Sequence, residues 1–282
     1  MFDSLRNYLR MIKIEHSVFA LPFAFVGALL SARGIPDWSV VGWIVLAMVG
    51  ARSAAMGLNR VIDRRIDAEN PRTANREIPA GVIGVGEAVV FIGISLLLLV
   101  YAAYRLNPLC LKLSPVAIGV LVLYSYTKRF TWAAHFVLGL AISAAPVGAW
   151  IAVSGTFDVR SLALGGAVIF WLAGFDTLYA LQDVEFDRAR GLYSIPARFG
   201  VETAIRLARL FHLLAWSLLA LTGVLFNIGP FYWIGLIIVG TLFIYQHALV
   251  KPDDLSRLNM AFFNMNGYIA VTVFACTLFG YI

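Results

Sequence analysis

Asn59-Arg60-Val61-Ile62-Asp63-Arg64-Arg65-Ile66-Asp67 closes one long apolar run, and Tyr179-Ala180-Leu181-Gln182-Asp183-Val184-Glu185-Phe186-Asp187 closes another. Each stretch sets two aspartates four residues apart. On a helix that spacing stacks both carboxylates on one face. Two such pairs, brought together, make a site for divalent cations and for the anion those cations carry. The pattern points to diphosphate chemistry at a membrane surface.

The rest of the chain says which solvent surrounds these charges. Of 282 residues, 61% are hydrophobic and only 13% charged. A soluble domain carries about 25% charged residues. Apolar runs of about 20 residues recur along the whole length, the mark of a protein that crosses the bilayer many times. No polar stretch suffices for a separate soluble domain, so residues 1–282 read as one membrane domain. The net charge of +6 falls in short loops between apolar runs. It reads as membrane orientation, and no basic patch interleaved with aromatics suggests nucleic acid. Cys110 and Cys276 are isolated, and His16, His135, His212 and His247 are scattered without ligand spacing.

Hydropathy predicts an all-α protein with nine spans, at roughly 14–33, 39–59, 86–106, 109–126, 132–153, 161–182, 204–226, 230–250 and 260–281. With the N-terminus in the cytoplasm, the inner segments hold 17 of the 22 basic residues. Only Arg33, Arg105, Lys112 and Arg160 face outward, and Arg52 lies within a span. This bias predicts a multi-pass protein with a cytoplasmic N-terminus and both acidic stretches on the cytoplasmic side. Phe2, Leu5, Leu9 and Ile12 recur at helical spacing against Arg6, Arg10 and Lys13, which predicts an interfacial helix over residues 1–13. Each acidic stretch is followed by Ile-Pro-Ala, at 78–80 and 195–197, and an intramembrane ionisable residue lies seven positions before one of its members, Arg52 before Asn59 and Asp176 before Asp183. That is the trace of a degenerate repeat: two four-helix halves plus a ninth helix.

Asp63, Asp67, Asp183 and Asp187, with Asn59 as an uncharged donor, are hard oxygen ligands of the kind Mg²⁺ takes together with substrate phosphates. Lys128 and Arg129, after Tyr124-Ser125-Tyr126-Thr127, read equally as a membrane anchor or as diphosphate contacts, while Arg64, Arg72, Arg76 and Arg198 share the two readings but lean towards the anchor. Arg52 and Asp176 lie about two helical turns inside the membrane. They read either as a structural ion pair or as the lining of a polar acceptor site. Tyr179 and Tyr124 offer hydroxyls to a substrate or to packing.

These residues resemble the two signature motifs of the UbiA superfamily of intramembrane prenyltransferases. The resemblance rests on Asn59-x₃-Asp63-x₃-Asp67 and Tyr179-x₃-Asp183-x₃-Asp187. It extends to Arg52-Ser53-Ala54, Asn70-Pro71-Arg72-Thr73, Arg76-Glu77-Ile78-Pro79-Ala80-Gly81 and Ser194-Ile195-Pro196-Ala197-Arg198-Phe199-Gly200. It covers essentially the whole chain and is nearest to the 4-hydroxybenzoate polyprenyltransferase group, with wording like the branch linked to menaquinone by the futalosine route. One departure is Arg60, where many members carry aspartate.

The resemblance implies nine helices around a central cavity and Mg²⁺-dependent transfer of a polyprenyl group from polyprenyl diphosphate to an aromatic acid acceptor. The expected acceptors are 4-hydroxybenzoate or a dihydroxynaphthoate-type acid, in quinone biosynthesis. Metal roles fall on Asn59, Asp63, Asp67, Asp183 and Asp187. Diphosphate contacts fall on Tyr124 and Lys128, with Arg129, Arg64 and Arg198 as further candidates. Asp63, Asp183 and Asp176 are the candidate catalytic carboxylates, and Arg52, Tyr179 and Asp176 the acceptor site. The alternative is a transporter using the intramembrane Asp and Arg residues as an ion path.

Overall fold

The computed structural model describes residues 2–13, 17–252 and 254–281, with the backbone alone for 2–5, 17 and 18. Its elements are helical: α1 (Phe2–Met11), α2 (Ser17–Ala32), α3 (Trp38–Glu69), α4 (Val85–Leu106), α5 (Pro108–Thr127), α6 (Ala134–Ser154) and α7 (Ser161–Tyr179). A 3₁₀ turn (Ala180–Asp183) leads to α8 (Val184–Arg190), α9 (Ile195–Phe199), α10 (Val201–Leu225) and α11 (Pro230–Ala248). A π-helical turn (Met260–Asn264) opens α12 (Met265–Phe279).

Among the described residues, eight helices are long and apolar enough to cross a membrane. The first of the nine drawn spans falls short, since its apolar stretch is Phe19–Ala32. The drawn span began at 14–16, outside the described residues, as does His16. Helices adjacent in sequence pack side by side from α3 to α7, α10 follows α7, and α12 closes back onto α2.

Local chemistry sets the boundaries. The Asp37 carboxylate accepts from Ser39 N at 2.7 Å and starts α3. Asn107 caps α5 through Cys110 N at 2.9 Å, while its amide donates to Ile151 O of α6 at 2.9 Å. The second span, drawn to end at 59, runs on as helix to Glu69. At 32 residues α3 is about 48 Å long, against about 30 Å of hydrocarbon. Hydropathy stops where charges begin, but the backbone ladder continues beneath them.

The predicted N-terminal helix is present as α1, yet its apolar side docks on protein. Met11 and Ile12 are buried with Ile78, Ile83 and Ala88, and the Tyr8 ring stacks on Phe91 at 5.0 Å. The side chains of Phe2 and Leu5 lie outside the described residues. Arg60 Nε and Arg52 Nη2 reach from α3 to the carbonyls of Met11 and Lys13, at 3.4 and 3.1 Å. Cations at a helix C-terminus satisfy carbonyls that have no helical partner.

Beneath the motif end, α2, α7 and α12 share an aromatic core. Phe23 meets Trp171 at 4.8 Å, and Phe175 meets Phe262 at 5.4 Å. Trp171 Nε1 donates to Asn266 Oδ1 at 2.9 Å, and Asn266 Nδ2 donates back to Phe262 O at 2.7 Å.

Candidate active site

The first motif lies on the overhanging end of α3, one face of which carries Asn59, Asp63 and Asp67. Asp63 and Asp67 are buried. Asn59 Nδ2 donates to Asp63 Oδ2 at 3.0 Å. Lys128 Nζ stands 2.6 Å from the same oxygen, and Arg129 Nη2 stands 2.9 Å from Asp63 Oδ1. These two cations arrive from the end of α5. Arg76 Nη1 lies 2.8 Å from both oxygens of Asp67.

Asn70 ends α3. Its N–H donates to Ile66 O at 3.2 Å, its Oδ1 accepts from Arg72 N at 2.9 Å, and Pro71 between them has no N–H to continue the helix. The turn throws both side chains across to the second motif. Asn70 Nδ2 donates to Asp183 Oδ1 at 3.0 Å, Arg72 Nε donates to the same oxygen at 2.9 Å, and Arg72 Nη2 grips Asp183 Oδ2. Arg72 Nη1 donates to the Tyr179 hydroxyl at 3.1 Å. Burial weighs against the Arg72 charge, but Asp183 outweighs it and holds the guanidinium above its ordinary pKa. A third link joins the ends: Tyr193 N, after the second motif, donates to Lys128 O at 2.8 Å. The two acidic stretches, far apart in sequence, are therefore neighbours.

The second motif differs from expectation. A 3₁₀ turn holds Asp183 and a separate short helix holds Asp187, so its carboxylates do not share a continuous α-helix. Asp187 Oδ2 accepts from Ser194 Oγ at 3.0 Å and has no cation within ion-pair distance among the described residues.

Other expectations scatter. Asp176 pairs with His135, not with Arg52, at 2.7 Å between Oδ2 and Nδ1. Arg64 donates to Val61 O on its own helix at 2.8 Å. Neither Arg64 nor Arg198 makes an ion pair with the cluster among the described residues, and Arg72 and Arg76 stand there instead. Tyr124 sits one turn before Lys128 on α5. His135, Asn70 and Ser194 were not singled out from sequence. For His135 the available signal was a polar side chain at the motif end of an apolar helix, and for Asn70 and Ser194 it was a place in the resembling stretches 70–73 and 194–200.

The donor set fits Mg²⁺. Asp63 Oδ1 is buried with the Arg129 guanidinium as its one charged neighbour, at 2.9 Å and outside hydrogen-bond geometry, so this carboxylate oxygen keeps a lone pair for a ligand. Among the described residues no three carboxylate, thiol or imidazole groups converge into a cage. Mg²⁺ seldom needs one, since it takes one or two carboxylates together with phosphate oxygens.

A membrane-embedded helical bundle with two cross-linked Asp-x₃-Asp motifs at one end defines a class. The chain belongs to the UbiA prenyltransferase family, whose pattern matches residues 20–268. It is an integral membrane protein and a prenyltransferase. It is 32% identical over 248 residues to a 4-hydroxybenzoate octaprenyltransferase of Vibrio atlanticus (strain LGP32), covering 87% of this chain and 86% of the relative. A UbiA homologue from Aeropyrum pernix K1, solved in its apo form, superposes with a TM-score of 0.87 at 31% identity, over 95% of this chain and 99% of that one. A UbiA homologue from Archaeoglobus fulgidus bound to GPP and Mg²⁺ shares the fold at a TM-score of 0.73 and 20% identity, over 98% and 99% of the two chains.

Proposed function

We propose that the protein transfers a polyprenyl group from its diphosphate to an aromatic acid, 4-hydroxybenzoate or a dihydroxynaphthoate-type acid, in quinone biosynthesis. One observation carries this reading: Asn70 and Arg72, from the loop after the first motif, hold Asp183 of the second. Acidic ligands and guanidinium groups thus share one small region, as a magnesium diphosphate requires. The octaprenyltransferase name of the Vibrio relative, and the GPP and Mg²⁺ bound by the Archaeoglobus homologue, point the same way.

Asn59, Asp63, Asp67, Asp183 and Asp187 would hold Mg²⁺. When bound, it supplies positive charge to the diphosphate as the allylic C–O bond breaks. Lys128, Arg129, Arg72 and Arg76 add fixed positive charge around the same anion. The rings of Tyr179 and Phe262, 4.1 Å apart, begin an apolar wall that excludes water from the allylic carbon. The ring carbon ortho to the phenol attacks that carbon, a C–C bond forms, and the ring proton passes to Asp176 or to the departing diphosphate. Arg52 and Tyr179 remain the candidate acceptor contacts.

The topology we propose has nine crossings in two four-helix halves plus one, around a central cavity, with α2 as the first. The N-terminus and both motifs face the cytoplasm of a prokaryotic cell, because 17 of the 22 basic residues gather on that side. The test incubates purified protein with Mg²⁺, a polyprenyl diphosphate and a panel of aromatic acids, and identifies products by mass spectrometry. A prenylated acid is expected from the wild type and none from Asp63→Ala or Asp187→Ala. Unchanged turnover in either variant overturns the assignment.

A further inference from the structure

His135, in the first turn of α6, is 5% exposed, and both its ring nitrogens are engaged. Nε2 lies 3.2 Å from the backbone N of Ile195, and Nδ1 lies 2.7 Å from Asp176 Oδ2. A backbone N–H only donates, so Nε2 carries a lone pair. The proton of the ring then sits on Nδ1 and points at the Asp176 carboxylate. The hydrogen bonds leave one tautomer.

Each end of this bridge leads to a different part of the site. Asp176 keeps 24% of its side-chain surface, and with Oδ2 held by His135, Oδ1 is the oxygen left for an acceptor. Ile195 directly follows Ser194, which caps α9 through Ala197 N at 3.2 Å and donates its hydroxyl to Asp187 Oδ2 at 3.0 Å. A short path therefore runs from Asp176 through the imidazole and the 194–195 backbone to Asp187. No other side chain among the described residues hydrogen-bonds to the Asp176 carboxylate.

We propose that His135 is the positioning residue of this enzyme, fixing the acceptor-side carboxylate Asp176 and the Ser194–Asp187 turn in one relation. It touches neither substrate and acts through the groups at its two nitrogens. An imidazole suits the task because its donor and acceptor lie on opposite edges of a rigid ring. Rotating Asp176 or displacing the 194–195 turn breaks one of the two bonds, so acceptor and diphosphate sites keep their spacing. This rests on the prenyl-transfer reading above.

The experiment compares wild type, His135→Leu and His135→Gln in detergent, varying the aromatic acid and the prenyl diphosphate separately. Binding of 4-hydroxybenzoate alone is measured by calorimetry, and thermal midpoints report folding. His135→Leu should lower kcat/KM for the acid by about 10- to 100-fold, the range typical of a lost orienting partner, and weaken calorimetric binding in parallel. The Mg²⁺ concentration for half-maximal rate should rise a few-fold. His135→Gln carries a donor and an acceptor on one amide and should recover to within about ten-fold of wild type. Leu and Gln variants equally impaired, or a Leu variant within two-fold of wild type, overturn the proposal. Should the Leu variant not fold, a double-mutant cycle of His135→Gln with Asp176→Asn decides: non-additive losses support the bridge and additive losses refute it. A wild type that prenylates no acid would instead defeat the functional reading itself.

Discussion

The two acidic motifs carry the same spacing but are built from different material. In the first, one uninterrupted helix presents Asp63 and Asp67, both buried, and each is matched by basic side chains from elsewhere: Lys128 and Arg129 for Asp63, Arg76 for Asp67. In the second, Asp183 sits in a 3₁₀ turn under Arg72, and Asp187 sits in a two-turn helix with the Ser194 hydroxyl as its one side-chain partner among the described residues. The first is a rigid, neutralised half whose charges also hold helices together. The second is split between a 3₁₀ turn and a short helix and is undercompensated, and Asp187 is the less neutralised of its two aspartates. Under the function proposed above, the same four-residue interval would serve architecture and ligand capture in one copy and mostly ligand capture in the other.

The sharpest way to break this contrast is to remove one acid from each half. Asp63→Ala and Asp187→Ala should each cut transfer by about 10³-fold or more, the scale of losing a main electrostatic group. Only Asp63→Ala should also lower the thermal midpoint, because it strands two cations. Lys128 and Arg129 keep 33% and 30% of their side-chain surface, so the penalty should stay near or below about 3 kcal/mol. Equal melting of the two variants would erase the distinction. Next in size, Arg72→Lys keeps the charge but loses the fork on Asp183 and the contact with Tyr179. A drop of about 10-fold in kcat/KM for the prenyl diphosphate is expected, with the acceptor KM little moved.

A smaller effect separates the helices beneath the motifs. A Cβ on Gly174 would fall 2.4 Å from the His212 ring, which is pinned at 2.9 Å to His247 and at 3.3 Å to Trp171 O. On Gly57 it would meet Ile92 Cγ1 at 2.7 Å, a side-chain carbon with no hydrogen bond to hold it, while the Cδ1 end lies at 3.4 Å. Gly174→Ala should therefore cost about 1–3 kcal/mol by thermal melting, with Gly57→Ala at the lower end of that range because one unpinned side chain has to shift. Smallest of all, Ser194→Ala removes one neutral donor from Asp187. At about 1 kcal/mol for such a bond, the Mg²⁺ concentration for half-maximal rate should rise about five-fold.

The bundle was legible because hydropathy reports burial in lipid directly, and the neighbourhood of the motifs was legible because charges at two span ends demand partners. What hydropathy could not report was backbone continuity. Nothing in the composition of 60–69 shows that α3 carries on past Asn59, since the residues there are polar but still helix-compatible. Nor does Tyr179–Asp187 reveal its 3₁₀ turn, because the side-chain spacing alone is that of a regular helix. Arg64 looked as good a diphosphate contact as Arg72, and only the Asn70–Pro71 turn decides which of them faces Asp183. His135 was invisible as a partner because its significance lies wholly in what α7 and the 194–195 backbone bring to it.

The way Asp63 and Asp183 find their counter-charges has a bearing on biogenesis. As the chain leaves the ribosome, Asp67 meets Arg76 almost at once, and Asp183 emerges to find Arg72 already waiting. Asp63 alone must wait, through all of α4 and α5, for Lys128 and Arg129. Until α5 inserts, Asp63 is the motif aspartate that stands without its counter-charges. A pause or a truncation in that interval should expose the nascent bundle to membrane quality control more than one at any later helix.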